Sequence, residues 1–179
     1  MIEKQIYIIT GGPGFGKTAL IDELRHRGYL CSEEFARQAI EKQLQTGGDL
    51  LPWIHPKEFQ REIFRLRKNF YESVPEMTPA FADRGLPDQL AFARYRGFEA
   101  PTPLKEKTET YRYAPHVFVT PPWPEIFVND HIRSETFEEA ILIHQAVIDT
   151  YKELNYQIIE LPLIPVTERA DFIIQTIQK

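Results

Sequence analysis

Cysteine is almost absent: Cys31 stands alone among 179 residues. A single thiol excludes an intramolecular disulfide and suits a reducing cytosol. Glu33 and Glu34 are close by in sequence and disfavour a thiolate, so Cys31 reads as a buried small hydrophobe. No apolar run approaches the ~18 residues of a membrane helix, and the first one is too short for a leader peptide. None of the five histidines falls in H-E-x-x-H or at zinc spacing with cysteine, so a structural metal is not indicated. A basic excess is missing too. The net charge of −5 excludes a general nucleic-acid-binding surface but leaves room for a local phosphate site. Repeats, low-complexity tracts and linkers are lacking, so residues 1–179 read as one domain with a sizeable core. Together these absences point to a cytoplasmic protein without a membrane or nucleic-acid partner.

What is present begins near the N-terminus. Gly11-Gly12-Pro13-Gly14-Phe15-Gly16-Lys17-Thr18 fits G-x-x-x-x-G-K-[ST], the phosphate-binding P-loop. Residues 5–10 form an apolar, β-branched run that reads as a strand buried on both faces. Ala19, Leu20, Glu23 and Leu24 suit a helix running to about Arg27, with Gly28 as its stop. Glycines let main-chain N–H groups turn inward around phosphate oxygens, and the helix adds its positive dipole end. Lys17 reaches the β- and γ-phosphates in this pattern, and Thr18 offers its hydroxyl to Mg²⁺. Residues 11–19, Ala19 included, are therefore the expected nucleotide contacts. No G-x-G-x-x-G dinucleotide fingerprint is present.

Strands and helices alternate along the rest of the chain, which predicts one α/β domain with a parallel sheet. A second strand over residues 29–32 leads into a helix opened by Glu33 and Glu34. Those acids read either as dipole-capping charges, with Glu33 and Arg37 as an i, i+4 pair, or as carboxylates beside the P-loop at a strand's C-terminal end. A loop holding Trp53 and His55 precedes a third helix that starts at Pro56. Phe59, Ile63, Leu66 and Phe70 form its core stripe, while Arg61, Arg65, Arg67 and Lys68 read as a solvated face. Residues 78–83 make a short apolar strand ending in Asp83, the Walker B pattern for a magnesium carboxylate. Arg84 follows, either neutralising a substrate or pairing with a carboxylate. Residues 104–113 read as a charged surface helix and 116–120 as the fourth strand. Thr136 and Glu139 make a capping box for a helix whose buried face is Phe137, Ala140, Ile141, His144, Val147, Ile148, Tyr151 and Leu154. His144 is read as a core residue. A fifth strand over 157–161 and a final helix complete the pattern.

With these motifs in place, the chain resembles the P-loop kinase-like ATPase domains grouped with the ribosylnicotinamide kinase domain of bacterial NadR and with an insect GTP-binding regulator. The resemblance runs nearly end to end. It rests on Gly11 to Thr18, on Glu33-Glu34-Phe35-Ala36-Arg37, on Phe81-Ala82-Asp83-Arg84 and on Asp130-His131-Ile132-Arg133. It implies a three-layer fold with a five-stranded parallel sheet in the order 2-3-1-4-5. It also implies a lid near residues 123–136, in which Arg133 closes on the triphosphate, and a base-binding loop around Pro165. Arg84 departs from the NadR-like version: it follows the Walker B acid as the arginine does in the D-R-[SY] pattern of deoxynucleoside and thymidylate kinases, with Gly85 in the third position.

The expected activity is transfer of the γ-phosphoryl of ATP to a small molecule such as a nucleoside. Lys17, Asp83, Glu33, Glu34 and Arg133 are the expected catalytic groups, and Glu34, Arg37 and Arg84 face the acceptor. ATP with Mg²⁺ is the expected nucleotide, with GTP as the alternative, although no N-K-x-D guanine signature is present. The competing reading is a nucleotide-dependent regulatory module that presents its lid to a protein partner, or an NTPase without a small-molecule acceptor.

Overall fold

A computed structural model describes residues 4–100, 102–128, 132 and 135–178. Five strands form one parallel sheet in the order β2-β3-β1-β4-β5. They are β1 (Ile6–Gly11), β2 (Leu30–Cys31), β3 (Ala80–Asp83), β4 (His116–Thr120) and β5 (Gln157–Glu160). The helices are α1 (Lys17–His26), α2 (Phe35–Thr46), α3 (Pro56–Ser73), α4 (Leu86–Arg96), α5 (Thr102–Thr110), α6 (Phe137–Glu153) and α7 (Val166–Ile177).

Successive side chains of a strand point to opposite faces, and the two cores follow that period. Ile6 and Ile8 of β1, Ala80 and Ala82 of β3, and Val117 and Val119 of β4 pack against Leu86, Ile143, Val147 and Tyr151 of α4 and α6. Ile9, Phe81 and Phe118 point the other way, onto Leu20, Leu24, Ala170 and Ile173 of α1 and α7. A smaller cluster of Ile40, Leu51, Phe59 and Ile63 holds α2 and α3 together. The register sets Ile9 beside Asp83 and Gly11 beside Thr120, so the P-loop and the ends of β3 and β4 share one edge.

Five sequence expectations are corrected here. The second strand is shorter than expected, and α2 begins at Phe35 with Glu34 as its N-cap, so both acids precede the helix. The buried face of α6 is turned: Ile143 and Thr150 are buried, whereas Ile141 is exposed. Arg67 does not belong to a solvated face. It lies four residues after Ile63, on the buried stripe of α3. Cys31 is only half-buried; burial first, then Asp22 and Glu33, push its thiol up to about 11 against the pull of Arg25, which leaves it neutral.

Thr136 accepts a bond from the Glu139 N–H while the Glu139 carboxylate accepts one from the Thr136 N–H, closing the expected capping box. Thr136→Ala is expected to lower stability by about 1 kcal/mol in urea unfolding. Ile143→Ala should cost about 3 kcal/mol. Ile141→Ala should stay within about 1 kcal/mol. Equal losses at positions 141 and 143 would contradict the orientation of α6.

Candidate functional site

The loop between β1 and α1 leaves a helix end open to a ligand. Gly16 is the N-cap of α1, with φ 80°, and no side chain caps the helix. The first N–H groups of α1 thus have no side-chain acceptor, the arrangement that favours anions. Gly14 also has positive φ, and a Cβ there would approach the Phe127 ring to 2.7 Å. The Phe15 side chain is a peg: its buried ring meets those of Phe127, Phe137 and His144 at 6.2, 5.8 and 5.8 Å. Pro13 is buried, while Thr18 and Ala19 are exposed on the first turn of α1. Lys17 is buried and donates to the Gly12 carbonyl at 2.8 Å.

Carboxylates from two strand ends flank this loop. The Thr18 hydroxyl donates to Glu34 Oε2 at 3.1 Å, and Arg37 Nε lies 3.5 Å from the same oxygen. Glu33 turns elsewhere, accepting from Gln38 Nε2 at 2.8 Å and standing 3.6 Å from Arg25. The expected Glu33–Arg37 pair is therefore replaced by Glu34–Arg37, with Arg37 also 3.5 Å from Glu41. Asp83 is buried at the tip of β3; its N–H donates to Ser32 Oγ at 2.8 Å, and its Oδ1 has no partner. Burial raises its carboxyl above the usual range; Lys17 and Arg84 oppose this, and Glu34 and Asp88 add to it. Asp83, Lys17 and Glu34 thus act on one another across the same edge.

Beside them is a charged cluster that motif reading missed. Asp88, on the first turn of α4, is fully buried. Its Oδ1 accepts from Thr10 Oγ1 and, at 3.0 Å, from Arg84 Nη1. Its Oδ2 accepts from the Gly85 N–H at 2.8 Å and from Tyr151 Oη at 2.6 Å. Burial alone would raise the Asp88 carboxyl, but Arg84 and Arg67, with the bonds from Thr10 and Tyr151, hold it below the usual range. Arg84, with φ 65°, is thereby tied to a carboxylate and lies over the Phe92 ring at 5.1 Å. A D-R-x-x-x-D spacing was visible in the sequence. His144 is a buried residue against Phe15, and burial, then Lys17 and Arg84, push its imidazole down to about 4.

A second missed residue approaches the loop from α7. Arg169 is buried, its guanidinium lies over the Trp123 ring at 5.2 Å, and a Cβ on Gly16 would come within 3.3 Å of its Nη1. Pro165, in the expected base loop, is the N-cap of α7 and accepts the Arg169 N–H at 3.0 Å. Within the expected lid, Ile126 and Phe127 lie against Gly16 and Gly14. Asp130 and Arg133 fall outside the described residues.

The depressed Asp88 carboxyl carries a pH signature. A folded-state pKa below the unfolded value of ~3.9 adds stability above that pH, which is lost as pH falls through the folded pKa. Asp88→Asn is expected to flatten this acid limb in urea midpoints measured from about pH 2 to 5. At neutral pH it should cost about 3 kcal/mol, because Arg84 and Arg67 lose their shared carboxylate. An unchanged acid limb would contradict the charge assignment.

No curated protein matches the chain. Among solved structures, it is similar over 97% of its length to NadR protein in complex with NR, at 19% identity and TM-score 0.68, and it covers 51% of that longer protein. It is similar to shikimate kinase from Acinetobacter baumannii at 16% identity and TM-score 0.61, covering 99% of this chain and 94% of that one. Deoxyadenosine kinase from M. mycoides matches at 13% identity and TM-score 0.56, covering 97% of this chain and 100% of that one. The sheet order is that of these small-molecule kinase folds. Residues 6–169 match the sequence model of an AAA domain, AAA_28, and the chain belongs to that family of P-loop nucleotide-binding domains.

Proposed function

We propose that this protein is a P-loop kinase that transfers the γ-phosphoryl group of ATP, or of GTP as the alternative, to a small molecule such as a nucleoside. One observation carries the reading: Glu34 from the end of β2 and Asp83 from the end of β3 converge on Thr18 and Lys17. A nucleotide switch needs phosphate and metal ligands but no second carboxylate on the acceptor side.

The main-chain N–H groups of Gly12 and of residues 14–19, Pro13 having none, would hold the β- and γ-phosphates at the N-terminal end of α1. Lys17 would exchange the Gly12 carbonyl for phosphate oxygens. Arg169 and Trp123, with Pro165 behind them, would flank the nucleotide beyond Gly16, and Arg133 would approach from the lid. The residues fit Mg²⁺: Asp83 keeps a partnerless buried oxygen and Thr18 offers a hydroxyl. Magnesium needs few protein ligands, so the absence of a group of three or more metal-binding side chains among the described residues is compatible with it. When bound it supplies neutralisation of phosphate charge.

The acceptor oxygen forms a bond to the γ-phosphorus as the bond from that phosphorus to the β–γ bridging oxygen breaks. ADP departs, and the acceptor's proton passes to Glu34, which Arg37 holds in place. Such transfer is driven by positioning and electrostatics.

Incubation with Mg·ATP and a panel of acceptors tests the reading, with ADP release as the signal. Lys17→Ala should lower turnover at least about 100-fold. Glu34→Gln should lower kcat about 100-fold or more. Glu33→Gln should stay within about threefold, since its carboxylate turns away. Tight nucleotide binding without any phosphorylated acceptor would instead favour the regulatory module.

A further inference from the structure

Arg67 is a buried cation whose counter-charge is already used. It is 7% exposed, and its Nε and Nη1 have no hydrogen-bond partner. Asp88 is the carboxylate that acts on it, yet both Asp88 oxygens are occupied by Thr10, Arg84, Gly85 and Tyr151. A carboxylate has about four lone-pair sites, and four donors fill them. Arg84 stands on the same side, so two guanidiniums share one committed carboxylate. Gln89, the next residue of α4, adds a second vacancy: its Nε2 donates to Gln60 at 2.9 Å, and its buried Oε1 has no partner. Removing an arginine from water and leaving its N–H groups unmet is costly, and a molecule that supplies acceptors there recovers the loss.

We propose that the acceptor carries an oxyanion, a carboxylate or a phosphate, that is received by Arg67, with a hydroxyl or N–H of the same molecule donating to Gln89. This rests on the kinase reading above and narrows its substrate class from neutral nucleosides to anionic small molecules. A carboxylate or phosphate takes two N–H groups of one guanidinium at once and offsets its charge, which a neutral group does not. Arg67 is then a specificity-determining residue at the acceptor site, away from the transferred group.

Matched acceptors test this with Mg·ATP and ADP release as the readout: a nucleoside against its 5′-monophosphate, and glycerol against glycerate. The charged member of at least one pair is expected to exceed the neutral one about 100-fold in kcat/KM, and Arg67→Gln should remove most of that ratio through KM. ADP affinity by calorimetry should be unchanged in the variant. A response to monophosphate alone identifies phosphate, and a response to glycerate alone identifies carboxylate. Turnover of the neutral nucleoside or glycerol as readily as the anion overturns the proposal while leaving the kinase standing. ADP binding without turnover of any member removes the kinase reading and this one with it. A second measurement needs no acceptor. Arg67→Met, which replaces a buried charge with two unbonded N–H groups by an apolar chain and leaves Asp88 to Arg84, should hold or raise Tm by about 2–5 °C. A fall of more than about 5 °C would make Arg67 a structural residue and overturn the proposal.

Discussion

The structure depends on one helix end that no side chain caps. α1 begins at Lys17 behind the N-cap Gly16, whose left-handed conformation turns the chain of the loop into the helix. β1 is the central strand, flanked by β3 and β4, so that both neighbouring strand ends arrive at the same edge as that loop. Ligands in open α/β sheets bind at this carboxyl edge, and here the edge is where Asp83, Thr10 and Lys17 converge.

Electrostatics then divides the edge into two regions. Around Lys17, the carboxylates Asp83 and Glu34 are coupled to the loop, and the buried Asp83 oxygen is left without a partner. Around Asp88, every lone pair is engaged and the carboxylate is held ionised. The first region is under-satisfied in the way that suits binding; the second is a scaffold that aims Arg84 and surrounds Arg67. Buried polar groups of native proteins are nearly all paired, and the partnerless atoms of Asp83, Arg67 and Gln89 are the observations on which the two proposals above rest.

The described part of the segment after β4 bears on the same loop from the other side. Ile126 and Phe127 reach Gly16 and Gly14, and Trp123 lies under Arg169. Apolar contacts on a phosphate loop require glycine at those two positions, since a Cβ would meet them within 3 Å. The glycines thus serve two surfaces, one turned to phosphate and one turned to this segment.

Much of this was legible in one dimension. The P-loop, the Asp83 strand end, the capping box at Thr136 and the alternation of strands and helices follow from spacing, because a strand repeats every two residues and a helix every 3.6. What spacing could not resolve was which of two adjacent acids faces the loop. Glu33 and Glu34 are equivalent in sequence, and only the position of Arg25 on one side and Thr18 on the other separates them. Arg67 and Arg169 were missed for a related reason: a lone arginine on a helix is ordinarily solvated, and its burial depends on what packs across from it. The sequence by itself determined the elements, the phosphate loop and the class of fold. The tertiary structure alone decided which charged side chains are removed from water and which of them find partners there, because burial and pairing are set by neighbours far apart along the chain.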